Sequence, residues 1–178
     1  VRPAGLGAEG YVNAAQQLDY TIRFQNTGTD TAFLVVIRDT LPQYLDITTL
    51  QLTGASHGYT FQIIGNNVLE WTFANILLPD SNVNEPLSHG FVSFHINQKD
   101  NNLVGTKITN RAGIYFDFNA VVLTNTTLNT IISDYKTWFT FIQSPESKLQ
   151  LGIYPNPNNG TFSLDFVAKP TNSYEFVM

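Results

Sequence analysis

The stretch Leu18-Asp19-Tyr20-Thr21-Ile22-Arg23-Phe24-Gln25 decides the class of fold. Leu18, Tyr20, Ile22 and Phe24 alternate with polar neighbours, the period of two that marks a half-buried β-strand. Asn26-Thr27-Gly28-Thr29-Asp30 follows with turn chemistry. The run from Ala32 to Ile37 is continuously apolar and β-branched, which predicts a central strand covered on both faces. Asp39-Thr40-Leu41-Pro42 breaks it, because proline has no amide to give to a sheet ladder.

Working outward, strands are predicted at 47–53, 59–64 and 67–73, the last two joined by a tight hairpin at Gly65-Asn66. Leu69, Trp71 and Phe73 share one face of their strand. A loop runs from about Leu78 to Gly90, and strands resume at 91–97, 105–111, 113–118 and 121–130. Residues 1–17, rich in Gly and Ala, read as a lead-in with at most one short strand around Tyr11-Val12. Short strands at this spacing, without a helical period, predict an all-β, two-sheet Greek-key sandwich. Residues 133–148 read as a linker, although Trp138-Phe139-Thr140-Phe141-Ile142 is apolar enough to dock. From Leu149 the pattern becomes strand, proline-rich turn, strand. The expected organisation is a sandwich over 1–132, a linker over 133–148 and the beginning of a second β-domain over 149–178.

Composition bounds the function. Hydrophobic residues are 43% of the 178-residue chain and charged residues only 13%, so there is material for a core and little for a highly charged surface. A net charge of −5 and the absence of a Lys/Arg run argue against nucleic acid or an anionic membrane as the main partner. No stretch approaches the ~20 apolar residues of a transmembrane helix. Without cysteine there are no disulfides, thiolate metal sites or cysteine nucleophiles, which leaves the compartment open. Val1-Arg2-Pro3-Ala4-Gly5 lacks the features of a signal peptide, and the chain reads as the downstream part of a longer one.

Two segments carry resemblances. Ile22-x-Phe24-x-Asn26-Thr27-Gly28, Val35-Val36-Ile37 and Asp39-x-Leu41-Pro42, with Asp80 to Pro86, Ser88-His89-Gly90-Phe91-Val92 and Asn110 to Asn119, resemble an Ig-like repeat domain of unknown function found in bacterial surface proteins, in the form seen in secreted proteins of Bacteroidota. Ile153-Tyr154-Pro155-Asn156-Pro157, followed by Asn159-Gly160-Thr161-Phe162, resembles the opening of the C-terminal sorting domain of type IX secretion, with Tyr154, Pro155, Asn156, Pro157 and Gly160 as its motif. The first resemblance implies an Ig-like sandwich. The second implies a partial second sandwich, export across the outer membrane and surface attachment or release, with the type IX secretion machinery as partner. Physics describes the motif more plainly: two prolines pre-set φ and remove two amide donors, which makes a rigid corner between strands.

Candidate chemistry is sparse. Gly54-Ala55-Ser56-His57-Gly58 fits a nucleophile elbow, but that elbow needs a helix after the serine and a strand is predicted here. His57, His89 and His95 lack metal-ligand spacing, and His95 faces out if Phe94 and Ile96 face a core. Asp117 and Glu70 sit among aromatics as candidate carboxylates, set against solvent-facing strand residues. Asp80, Asn82, Asn84 and Glu85 place oxygens that could wrap Ca²⁺, with Asp117 or Asn119 as outside partners. The competing reading is a loop whose side chains bond its own backbone. No other cofactor is indicated. Thr31 and Thr40 lie in Asp-Thr-apolar triplets that resemble bacteroidal O-glycosylation sites. A Lys–Asn cross-link would need a buried lysine, and Lys107 near Asn110 is the candidate. The expectation is a non-catalytic structural or adhesive module of a secreted or surface protein; the alternatives are a glycan- or protein-binding module, or an accessory domain of a larger secreted enzyme.

Overall fold

The chain divides into two units, Val1–Tyr135 and Lys136–Met178. The structure, a computed structural model, describes residues 1–133, Leu151–Tyr154 and Ser163–Phe166. In the first unit the strands are β1 (Tyr11–Asn13), β2 (Leu18–Gln25), β3 (Ala32–Thr40), β4 (Leu45–Ala55), β5 (Thr60–Ile64), β6 (Val68–Leu78), β7 (His89–Gln98), β8 (Lys107–Asn110), β9 (Ala112–Phe116), β10 (Val122–Leu123) and β11 (Thr127–Ile132). Among the described residues the helical content is one 3₁₀ turn, Pro86–Ser88.

Two sheets face each other across the core. One has the order β2-β7-β4 and the other β10-β9-β3-β6-β5. A third, small sheet, β1-β11-β8, contributes Val12, Ile108 and Ile131 to the same core. This is the all-β sandwich that the periodicity predicts. Neighbours such as β3–β9 and β2–β7 are far apart in sequence, as Greek-key crossovers require. The predicted inward faces are buried, Leu18, Tyr20, Ile22 and Phe24 in β2 and Leu69, Trp71 and Phe73 in β6, although Glu70 on the outward face of β6 is buried too. Rings join the sheets, with Phe94 stacked between Tyr20 (5.2 Å) and Trp71 (5.6 Å), and Phe24 against Phe73 (5.5 Å). Truncating a fully buried Trp such as Trp71 to Ala costs about 3–5 kcal/mol.

Several expectations are corrected. β3 is central in its sheet but covered on one face only: Ala32, Val35, Ile37 and Asp39 are buried, whereas Phe33, Arg38 and Thr40 are exposed. Ala32 and Val35 share a face despite their odd separation because the register slips between Ala32 and Leu34. The strand also continues through Asp39 to Thr40, and the proline ends it only afterwards. The hairpin loop holds Gly65, Asn66 and Asn67, with Ile64 paired to Val68 and Gly65 at φ +62°. The predicted strand 121–130 is two: β10 joins the large sheet and β11 the small one. Thr124 makes the crossing, its Oγ1 accepting the Ala112 N–H and its N–H donating to the Ala112 carbonyl. The lead-in is tied to the body, Arg2 and Asp19 exchanging two backbone hydrogen bonds of 2.7 Å.

In the second unit, β12 (Leu151–Tyr154) pairs antiparallel with β13 (Ser163–Phe166), Tyr154 opposite Ser163. Pro155, Asn156, Pro157 and Gly160 of the sorting motif lie outside the described residues, as does the segment 134–150 with its apolar Trp138–Ile142.

Candidate binding groove

A row of side chains crosses the outward face of the large sheet. Register sets Gln62 opposite Glu70, Glu70 opposite Arg38 and Arg38 opposite Gly113. Arg38 Nε donates to Glu70 Oε2 at 2.6 Å, and Gln62 Nε2 donates to Glu70 Oε1 at 2.7 Å. The hydrogen bond from Gln62, then that from Arg38, hold the Glu70 carboxyl below its ordinary range against the opposing effect of burial. The bond to Glu70 correspondingly raises Arg38. The guanidinium carbon lies 5.4 Å from the centre of the Tyr115 ring, a cation–π contact. Arg38 is thus clamped between a nearly buried carboxylate and an aromatic face.

Beside this row lies a groove of about 990 Å³. Its lining sets apolar side chains on either side, Ile64 and Val68 from β5 and β6 and Val121 and Leu123 at β10, with Arg38, Arg111 and Tyr115 between them. Ile64, Val121 and Leu123 are exposed, a concentration of apolar surface on an otherwise polar face. None of the lining residues is acidic. Arg111 makes no ion pair among the described residues. Within a chain of net charge −5 the groove is therefore locally cationic.

Most of the residues singled out from sequence fall elsewhere. Thr40 is on the rim of the groove, and Thr31 is half-buried in the loop before β3. Asp80 is buried, and its Oδ1 accepts the N–H groups of Asn82 (2.9 Å) and Val83 (3.2 Å). Asn84 Oδ1 accepts the Leu87 N–H at 3.2 Å, and Glu85 Oε1 is 2.7 Å from His89 Nε2. Asp80 and Asn84 thus cap backbone amides of the loop, as in an Asx-turn, while Glu85 faces His89 at the start of β7. Among the described residues, no three His, Asp or Glu side chains come together as a metal site. Asp117 Oδ1 accepts the N–H groups of Phe33 and Leu34 and so satisfies the backbone where the register slips. Glu70 is the centre of the row described above. Ser56 follows β4 in the loop that leads into β5, with no helix after it; its Oγ accepts the Phe91 N–H. His95 does face away from the core, toward Asp19 at 2.6 Å. Lys107 is exposed beside Glu9 (2.6 Å), on the face of β8 opposite to buried Asn110, so the two cannot meet.

Sequence reasoning missed a buried polar cluster. Asp39 lies between the sheets, fully buried, and its Oδ2 accepts from Asn110 Nδ2 at 2.8 Å. Burial pushes its carboxyl up to about 7, against the lowering effect of Asn110. Burial, then the nearby Asp39 charge, push the Tyr20 hydroxyl up as well. The signal was present: Asp39 is at i+4 from Val35 and i+2 from Ile37, on the inward parity of β3.

Residues 5–130 match the family described as Domain of unknown function (DUF7619). The chain belongs to this family. Among curated proteins none matches the sequence. Three solved structures similar to it are the full-length major pilin SpaD from Corynebacterium diphtheriae, the BcpA*(D312A) major pilin subunit of Bacillus cereus and the collagen-binding domain of a Staphylococcus aureus adhesin. For SpaD the identity is 19% and the TM-score 0.47, covering 66% of this chain and 32% of the pilin. For BcpA the values are 14% and 0.46, with 67% and 36% covered. For the collagen-binding domain they are 14% and 0.38, with 65% and 87% covered. The chain thus spans about a third of each of these two pilins.

Proposed function

We propose that this family member is a non-catalytic adhesive module of an exported bacterial surface protein, and that the groove on its large sheet is the adhesive site. The observation that carries the reading is the groove itself: Arg38, Arg111 and Tyr115 in its middle, apolar side chains on either side, and open along the face of the sheet. Such a trench suits an extended anionic ligand, a glycan or an acidic polypeptide, held by Arg111 and by apolar contact. The carboxylates weighed for hydrolysis are committed elsewhere, Glu70 to Arg38 and Gln62, and Asp117 to the N–H groups of Phe33 and Leu34. The similarity to pilin and adhesin domains agrees with surface display. The segment from Leu149 is proposed to address the protein to type IX secretion and the outer-membrane exterior, its Tyr154-Pro155-Asn156-Pro157 motif meeting the export machinery. Thr31 and Thr40 are proposed O-glycosylation acceptors, Thr40 at the groove's rim.

The test is a glycan-array and pull-down screen on the full chain, repeated with Arg111→Glu. A ligand bound at micromolar affinity, roughly 8 kcal/mol, and lost in the variant is the expected result. A screen without such a ligand, or a ligand indifferent to Arg111, sinks the groove and leaves the module a spacer.

A further inference from the structure

Register turns the outward face of the large sheet into a grid, and the groove lies across its strands. Leu123 of β10 stands opposite Gly113 of β9, and Gly113 opposite Arg38 of β3. One step along, Thr40 stands opposite Val68 of β6, and Val68 opposite Ile64 of β5. The apolar groups therefore occupy the two ends of the groove, and the arginines lie midway, Arg38 on β3 and Arg111 just before β9. Neighbouring strands are ~4.8 Å apart, so Val68 and Leu123, three strand spacings apart, are separated by roughly 14 Å across the sheet and 16 Å on the diagonal.

That spacing fits an extended polypeptide. Such a chain advances ~3.4 Å per residue and turns every second side chain to one face, so residues i and i+4 span roughly 14 Å. Leucine-sized side chains reach across the small remainder. Residue i+2 falls midway, between Arg38 and Arg111. Gly113 keeps this middle open: a Cβ there would stand 2.9 Å from Val121 Cγ2 and 3.7 Å from Tyr115 Cε2.

The lining also chooses between the two kinds of anionic ligand. Among the described residues Tyr115 is the one ring in it, and that ring already carries Arg38 at 5.4 Å. No carboxylate is there to accept sugar hydroxyls, and the Asn110 amide is given to Asp39. Branched aliphatic ends instead suit apolar side chains, while Thr40, Thr109 and Thr126 offer hydroxyls to a peptide backbone.

On the reading that this groove is the binding site, we propose that its ligand is an extended acidic polypeptide of the pattern apolar–x–acid–x–apolar. The acid lies over Gly113 and pairs with Arg111, whose charge no acid of the described residues meets, whereas Arg38 Nε is held by Glu70. The two apolar side chains pack on Ile64 and Val68 at one end and on Val121 and Leu123 at the other, which sets the spacing.

The probe is acetyl-Thr-Leu-Thr-Glu-Thr-Leu-Thr-amide, titrated into the isotope-labelled full chain and followed by amide NMR. Signals of Val68, Arg111 and Gly113 should shift together. Arg111→Glu should weaken binding by about tenfold, and so should Lys in place of the peptide's Glu, whereas the two changes combined should restore it. Arg111 is exposed, so the variant should melt with the wild type. A peptide whose leucines stand three residues apart should bind about tenfold more weakly. No shift at millimolar peptide, equal binding of the two leucine spacings, or no rescue by the charge swap overturns the inference. Polygalacturonate, an anionic glycan, separates the two levels of the argument. If it shifts the same amides through Arg111 while the peptide does not bind, the groove stands and the polypeptide is overturned; if neither binds, the groove falls as well.

Discussion

Replacing Asp39 by Asn should make the sandwich more stable at neutral pH and nearly unchanged at pH 4. Asp39 is fully buried between the sheets, and its carboxyl is pushed from 3.8 to about 7. Below pH 3.8 the group is neutral in both folded and unfolded chains. Between 3.8 and 7 the unfolded chain releases the proton while the folded chain keeps it, so stability falls as pH rises. The loss amounts to about three pH units at ~1.36 kcal/mol each, about 4 kcal/mol, and is complete above pH 7. The substitution keeps the side chain's shape and removes the ionisation. Its carbonyl can still accept from Asn110 Nδ2, and its new amide can donate to Asn110 Oδ1, which has no partner among the described residues.

The assay is a set of urea melts at pH 4, 5.5, 7 and 8.5. A Trp138→Phe background leaves Trp71 as the fluorescent reporter of the sandwich. Subtracting wild type from variant cancels carboxylates with the opposite trend, such as Glu70, whose lowered value makes stability fall as pH drops through it. The difference should grow from near zero at pH 4 to about 4 kcal/mol at pH 8.5. A flat difference, or a variant less stable than wild type at pH 8.5, would refute the assignment of Asp39 as a buried, proton-holding acid.

Two further outcomes are expected. Gly90→Ala should lower the unfolding free energy by about 1–3 kcal/mol, read as a lower urea midpoint, because a Cβ there would stand 2.1 Å from the Phe24 ring, itself packed on Phe73; an unchanged midpoint would show that the ring moves freely. Millimolar Ca²⁺ should leave the melting temperature unchanged, since Asp80 and Asn84 already cap backbone amides; a rise of several degrees would mean the loop re-forms around the ion.

The strands were legible because one solvated and one buried face imprint a period of two on the chain, as at Leu18 to Gln25 and Leu69 to Phe73. Errors arose where tertiary structure overrode that imprint. The apolar run of β3 looked doubly buried, yet the register slip beside Ala32 and the uncovered outer face left Phe33 in solvent. Residues 121–130 looked like one strand because nothing local says that a chain changes sheets at Thr124. Gly90 does fall beside a strand boundary, as the second residue of β7, but the aromatic ring packed over it was not legible.

Taken by itself, the sequence determined the all-β class, the approximate strands and the residues that form the core. The groove was decided only in three dimensions. The groove draws on β3, β5, β6, β9 and β10, whose adjacency follows from sheet order and not from chain order. Likewise, Leu18 to Gln25 names β2 as a strand, but that β7 is the strand it pairs with is a property of the sheet. Periodicity reports which face of a strand is buried; it is silent on which strands lie beside it, because pairing partners are selected by packing across the whole core.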